Sequence, residues 1–196
     1  MELLIATHNP GKMREFRQLL TPLGARFCFS SELGLHVEVV EDGSTYAENA
    51  RKKAEAYLRA SGLLTLADDS GLEVDALDGA PGIYSARYRP GSDVDRVEAL
   101  LAHLRDVPWE RRTAQFRCVV VIVTPGREVC EAEGVCKGRI AFEPAGQGGF
   151  GYDPVFYLPE YGCTMAQLPP VGKNRVSHRA QAVRAALPAL RRLLAG

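Results

Sequence analysis

Apolar residues recur along the chain in two rhythms, one with the period of a helix and one with the alternation of a strand. Residues 2–6 form an apolar run that predicts a strand, and Met13, Phe16 and Leu19/Leu20 follow at helical spacing. Strands are expected near 26–29 and 36–40. A helix from about Thr45 to Ala60 then carries Ala47, Ala50, Ala54 and Tyr57/Leu58 on its apolar face. Residues 63–67 and 71–77 predict two strands joined as a hairpin, with Asp68 and Asp69 at the end of the first. Ser92 with Asp95 predicts a capped helix whose core face is Val94, Val97, Leu101 and Leu104. The run 113–123 is apolar on both faces over Cys118–Val123, as a central strand is, and 128–136, 138–142 and 155–157 are its expected partners. Strands from 113 to 157 follow one another without a helix, so their pairing is antiparallel or mixed. The last helix starts after Ser177 as N-cap, with Val183, Leu187, Leu190 and Leu194 inward and a kink at Pro188.

This pattern makes the chain α/β at both ends and β-rich in the middle. Its 196 residues suit one large domain, or two small lobes, able to bury a sizeable core. Lys plus Arg and Asp plus Glu are 24 each, so no basic excess points to nucleic acid. The N-terminal run is short and lacks a cationic leader, and no segment is long enough to span a bilayer, so a cytoplasmic protein without a membrane partner is expected. Five cysteines without a Cys-x-x-Cys pair favour reduced, mostly buried thiols.

Five stretches carry candidate chemistry. Thr7-His8-Asn9-Pro10-Gly11-Lys12 joins a strand to a helix, where free backbone N–H groups and the helix dipole make a seat for phosphate. It is not a Walker loop, since Ala6 and Met13 replace residues that motif requires. A plain turn remains the alternative. Asp68-Asp69 suggests a hard cation such as Mg2+, with a solvent-facing turn as the alternative. Asn49 and Lys53, four apart on the helix, lie near its apolar boundary, while Glu48 and Lys52 are expected to pair. Gly146–Gly151 matches G-x-G-x-x-G, but Tyr152-Asp153-Pro154 and a strand follow instead of a helix, so the dinucleotide reading fails. What is left is Phe150 near Asp153, suited to stacking on and hydrogen-bonding a base, or else a core aromatic on a bulged strand. Lys173, His178 and Arg179 gather at the start of the last helix, where cations are disfavoured unless an anion or electron-rich ligand offsets them.

These stretches, with Glu48-Asn49-Ala50, Lys53-Ala54, Ser70-Gly71-Leu72, Gly82–Tyr88 and Ser177-His178-Arg179, stand in an order and spacing that resembles the inosine triphosphate pyrophosphatase family, the non-canonical purine nucleoside triphosphate pyrophosphatases. The likeness covers nearly all of the chain, so residues 1–196 are expected to form a single pyrophosphatase domain with two lobes. The resemblance implies a long, mixed, twisted central sheet flanked by helices, with the lobes around an active-site cleft, and a homodimer. It implies Mg2+-dependent hydrolysis of inosine, deoxyinosine and xanthosine triphosphates to the monophosphate and pyrophosphate.

Residue by residue, the resemblance puts the triphosphate on Thr7, His8, Asn9, Pro10, Gly11 and Lys12, with help from Lys53 and Ser70. Asp69 matches the catalytic acid, and Glu41 its companion at the metal. Phe150, Gly151, Tyr152, Asp153, Lys173, His178 and Arg179 fall to the base. A 6-keto purine would accept from His178 or Arg179, whereas a 6-amino group would leave that donor unpaired, a difference of roughly 1–3 kcal/mol. The Pro-rich segment 167–172 departs from the family's pattern just before Lys173. Two rivals are a pyrimidine nucleoside triphosphate pyrophosphatase, which needs a pocket for a smaller ring, and a nucleotide sensor, which would have lost its acids. A third, an adaptor protein, lacks an exposed apolar stripe.

Overall fold

The computed structural model describes residues 2–126 and 128–195. In chain order the strands are β1 (Leu3–Ile5), β2 (Phe27–Phe29), β3 (Leu64–Val74), β4 (Thr113–Val123), β5 (Val129–Ile140), β6 (Phe156–Leu158) and β7 (Cys163–Thr164). The helices are α1 (Pro10–Leu20), α2 (Tyr46–Ser61), α3 (Asp93–His103), α4 (Pro170–Val176) and α5 (His178–Ala195). One seven-stranded sheet runs in the order β2-β1-β3-β4-β5-β6-β7. Its β1 pairs in parallel with β2 and β3, whereas β6 pairs antiparallel with β5 and β7, so the sheet is mixed and the fold α/β. None of the described helices is long and apolar enough to cross a membrane.

The chain forms two compact units, and the boundary falls within β3, β4 and β5. The first comprises Met1–Asp69, Cys118–Gly134 and His178–Gly196, and the second Ser70–Arg117 and Val135–Ser177. In the first, alternate residues of β3 (Leu64, Leu66) and β4 (Cys118, Val120, Ile122) pack with Phe16 and Leu20 of α1 and Val183, Ala186 and Leu190 of α5. The strand period of two meets the helix period of 3.6 on one dry face. In the second unit, Leu72 and Val74 of β3 pack with Val97 and Leu100 of α3, Phe116, Ile140 and Phe156.

Local chemistry sets the helix starts. Asn9 caps α1 by accepting from the Lys12 N–H at 3.0 Å, and Pro10 takes the first turn, where its missing N–H costs nothing. Thr45 caps α2, and Ser92 with Asp95 completes a reciprocal box at α3.

Several expectations change. The hairpin at Asp68-Asp69 does not exist, because β3 runs unbroken from Leu64 to Val74 and places both acids in mid-strand. The strand at 36–40 is absent, since that stretch alternates only between exposed and half-exposed positions and forms no ladder. Glu48 and Lys52 do not pair with each other. Glu48 caps back to Ser44, and Lys52 takes Asp42 at 2.5 Å. The proline-rich run before Lys173 starts α4, with Pro170 at its first position.

Candidate functional site

In the first unit, charged groups converge where β1, β3, α1, α2 and α5 meet. β1 leads into a short loop whose Thr7 is buried and whose Asn9 caps α1. The first turn of α1 contains no acid but does contain Lys12, a cation at the positive end of the helix dipole. Asp68 offsets that cost, with its Oδ2 3.0 Å from the Lys12 ammonium. The same oxygen accepts from Nε (3.2 Å) and Nη2 (3.0 Å) of Arg179, the second residue of α5, while Arg179 Nη1 donates to Glu15 Oε2 at 2.6 Å. Asp68, Glu15 and Arg179 are all buried. Burial by itself would raise the Asp68 pKa, but Lys12, Arg179 and Lys53 hold it well below the usual carboxylate range. Its other oxygen, Oδ1, is buried without a hydrogen-bond partner among the described residues.

The neighbouring acid behaves in the opposite way. Asp69 is buried, and desolvation raises its pKa above the ordinary value. Lys12 and Lys53 pull it down, and the negative charge of Glu41 pushes it up again. Asn49 of α2, wholly buried, donates from Nδ2 to Asp69 Oδ2 at 3.2 Å and accepts the Gly43 N–H at 2.8 Å. Lys53, one turn further along α2, donates to the Asp68 carbonyl at 3.1 Å and pairs with Glu41. Burial disfavours the Lys53 charge, but Glu41 and Asp68 outweigh this and raise its pKa, so the ammonium persists. Asn49 and Lys53, on one face of α2, thus both reach the Asp-Asp pair.

His8, in the loop before α1, meets the Tyr57 hydroxyl at 2.8 Å and stacks on His36 with ring centroids 5.0 Å apart. His178 is buried at the start of α5. Its backbone lies against β5 so closely that a Cβ on Gly134 would come 2.2 Å from the His178 carbonyl oxygen and 2.3 Å from the Ala182 nitrogen. Only a glycine lets that turn of α5 settle on the strand.

The second unit holds another cluster. Residues 150–153 form a turn in which the Phe150 N–H donates to Asp153 Oδ2 at 2.8 Å. Gly149 has φ +72°, and a Cβ there would sit 2.0 Å from that same oxygen, so the glycine admits the turn. Asp153 is also paired with Lys173 of α4, both being buried, and the Lys173 ammonium lies 4.9 Å from the centre of the Phe150 ring. Phe150 is half-buried in a loop rather than inside a strand. Tyr152 is buried and donates from its hydroxyl to the Ser85 carbonyl at 2.9 Å, while the Gly151 N–H donates to Asp93 at 2.7 Å.

The structure therefore brings Lys12, Lys53, Glu41 and Asp69 together with Asp68, Asn49 and Arg179 in the first unit, and Phe150, Asp153 and Lys173 together in the second. Arg179, expected at the base, is engaged by Asp68 and Glu15. Sequence reasoning offered Asp68 only as half of a candidate cation-binding pair with Asp69 and did not single out Glu15. Glu15 stands three residues after Lys12 on α1, a spacing that shows a shared face, but nothing local signals its burial.

A family model described as the Ham1 family matches residues 3–189. The chain belongs to the Ham1 family. Among its curated relatives is a dITP/XTP pyrophosphatase of Desulforamulus reducens, 50% identical over 195 residues, or 98% of this chain and 97% of that protein. The solved Ham1 protein of Staphylococcus aureus superposes with a TM-score of 0.83 at 42% identity, covering 100% of this chain and 99% of the other. A Ham1 protein from Coxiella burnetii gives 0.85 at 38% identity, over 100% of this chain and 98% of that one. By this membership the protein is an enzyme, a pyrophosphatase of the hydrolase class.

Among the described residues no three His, Cys, Asp or Glu side chains gather as a metal cage. Asp69, whose ionisation the nearby negative charge of Glu41 makes more costly, and Glu41 itself offer hard oxygens that fit Mg2+, which is commonly held by one or two carboxylates while water and phosphate complete its shell. Oδ1 of Asp68, buried and without a hydrogen-bond partner among the described residues, adds an oxygen next to Asp69 in sequence.

Proposed function

We propose that the protein hydrolyses non-canonical purine nucleoside triphosphates, dITP/ITP and XTP/dXTP, to the nucleoside monophosphate and pyrophosphate in the presence of Mg2+. The observation that supports it most is the gathering of Lys12 and Lys53 around the dry carboxylate Asp69, next to the capped N-terminus of α1. A triphosphate carries about four negative charges, since each phosphoryl group adds charge as a phosphoester does, and those groups are what neutralises it. Thr7, His8, Asn9, Pro10, Gly11 and Ser70 supply the neighbouring backbone and hydroxyl groups for the phosphates.

Glu41 and Asp69 would hold Mg2+, which supplies charge neutralisation at the phosphoryl oxygens. Asp69 takes a proton from water, the water attacks the α-phosphorus in line, and pyrophosphate leaves with its charge met by Lys12 and Lys53. A carboxylate whose pKa is raised by burial is a better base than an ordinary one. Phe150 stacks on the base, its turn fixed by Asp153 and Lys173. His178 supplies the donor that a 6-keto purine satisfies and a 6-amino purine does not. The name of the Desulforamulus reducens relative, 50% identical, supports the substrate class. A homodimer accompanies this reading on the strength of the resemblance, and action on the free nucleotide pool rather than on nucleic acid agrees with the equal numbers of acidic and basic residues.

The test is release of pyrophosphate from dITP, XTP, dGTP and dATP in parallel, with Mg2+ and with chelator. Fast, metal-dependent release from the first two supports the proposal. Equal rates on all four remove the base assignment, and release undiminished by chelator removes the metal. Asp69→Asn is expected to lower kcat by roughly 10²–10⁴-fold, the usual worth of a general base.

A further inference from the structure

Phe150 can present its ring in one direction only if the two peptide groups flanking its Cα are fixed, and one of the groups that fix them comes from outside its loop. The Phe150 N–H donates to Asp153 Oδ2 at 2.8 Å, and the Phe150 carbonyl accepts the Asp153 N–H at 3.3 Å. The other end of that second peptide, the Gly151 N–H, donates to Asp93 Oδ2 at 2.7 Å. Asp93 is the first residue of α3, 58 residues earlier in the chain and in the same compact unit. We infer that Asp93, held by Arg96, is a positioning residue for Phe150, fixing the Phe150–Gly151 peptide and with it the direction in which the ring meets a purine base.

Neither oxygen of Asp93 is needed to start its helix. Ser92 caps α3 by accepting the Asp95 N–H at 3.3 Å, while the Asp95 carboxylate takes the Ser92 N–H at 2.6 Å. The Asp93 carboxylate instead divides its oxygens, Oδ2 on Gly151 and Oδ1 on Arg96 Nη2 at 2.6 Å. Arg96 is fixed in turn, because its Nη1 donates to the Gly91 carbonyl at 2.9 Å. A planar guanidinium holds its acid in a narrower geometry than a flexible ammonium would. By itself this ion pair along the helix surface would be worth little, and the bond to Gly151 is what gives it a consequence for the loop. Gly151 has φ +62°, the left-handed conformation that lets its N–H face α3 while the chain continues into Tyr152. Tyr152 is tied nearby, since its hydroxyl donates to the Ser85 carbonyl and Ser85 Oγ accepts the Leu72 N–H of β3 at 2.8 Å. The 82–88 stretch, to which the hydrolytic chemistry assigns no task, thus braces the same turn.

Asp93 has this role only if Phe150 stacks on the base as proposed, and the measurements separate the two. Pyrophosphate release from dITP gives kcat/KM for the wild type, Asp93→Ala, Asp93→Asn, Phe150→Ala and the double variant Asp93→Ala with Phe150→Ala. Binding of inorganic tripolyphosphate, which has no base, is measured calorimetrically with Mg2+ on the same proteins. Asp93→Ala is expected to lower kcat/KM for dITP about threefold to tenfold, the worth of one hydrogen bond at a partly exposed site, and to leave tripolyphosphate binding within about twofold. Asp93→Asn keeps an acceptor for the Gly151 N–H and should stay within about twofold of the wild type. In the Phe150→Ala background the loss from Asp93→Ala should shrink to less than about twofold.

Full activity of Asp93→Ala on dITP would overturn the inference, and so would equal losses in Asp93→Ala and Asp93→Asn, which assign the effect to charge rather than to the Gly151 bond. A matching loss of tripolyphosphate binding, or a cost of Asp93→Ala that is the same with and without Phe150, would sink it too. Phe150→Ala with full activity on dITP would instead remove the stacking reading, and the role of Asp93 with it. Exchange of the Gly151 amide hydrogen gives a readout that needs no ligand. Asp93→Ala should speed it about threefold or more while the amides within α3 keep their rates, and unchanged exchange would show that the bond does not hold the loop.

Discussion

Both units press a lysine against a buried aspartate, yet the two pairs are built differently. Lys12 and Asp68 are 3.0 Å apart, with the lysine side chain 15% exposed and the aspartate 1%. Lys173 and Asp153 are 7% and 3% exposed. Asp68 has a second cation in Arg179, so that carboxylate keeps a buried partner even without Lys12. Asp153 instead uses its oxygen on a backbone N–H of its own turn, and its lysine sits close to an aromatic ring. The first arrangement leaves an ammonium available to a ligand. The second locks a loop and the aromatic it carries.

The largest expected effect tests that difference directly. Lys173→Met removes the ammonium from a buried carboxylate and should cost about 3–5 kcal/mol, lowering the melting temperature by roughly 10 °C. Lys12→Met should cost only about 1 kcal/mol, because Arg179 still neutralises Asp68. Thermal unfolding of the two variants side by side measures this, and equal losses would break the comparison.

A smaller effect separates the units by ligand. Phe150→Ala is expected to weaken dITP binding by roughly 1–3 kcal/mol, the usual worth of stacking on a base, and to leave tripolyphosphate binding unchanged. Parallel weakening of both ligands would mean that Phe150 supports the phosphate side.

The smallest concerns pH. The folded-state pKa of Asp68 is depressed, so its contribution to stability is present above the unfolded value of about 3.9 and is lost as pH falls. Between pH 5 and 3 the wild type should lose about 1 kcal/mol that Asp68→Asn does not, narrowing the gap between them in denaturant titrations. A constant gap would show that Asp68 is not held ionised by Lys12 and Arg179.

How far the site could be read from the chain depended on the range of the interactions involved. The Ser92–Asp95 box acts within four residues and appears as expected, and Asn9 as cap with Pro10 at the first turn of α1 are equally local features. Asp68 and Asp69 looked like the end of a strand because two adjacent charges in mid-strand are costly. They lie in mid-strand all the same, since Lys12, Arg179, Lys53 and Asn49 come from 15 to 111 residues away to meet them. The same distance hid the role of Glu15, which meets Arg179 across 164 residues. At 36–40, alternation alone suggested a strand, but a strand needs a partner edge and none is paired there.

The sequence by itself determined where α2, α3 and α5 start, the mixed α/β character and most of the groups in both clusters, because caps, periodicity and motif order are local. Only the tertiary structure decided which carboxylate is held ionised and which is pushed toward neutrality. Asp68 and Asp69 are chemically identical neighbours with opposite pKa shifts, and the difference lies in the cations and the burial that distant segments bring to each.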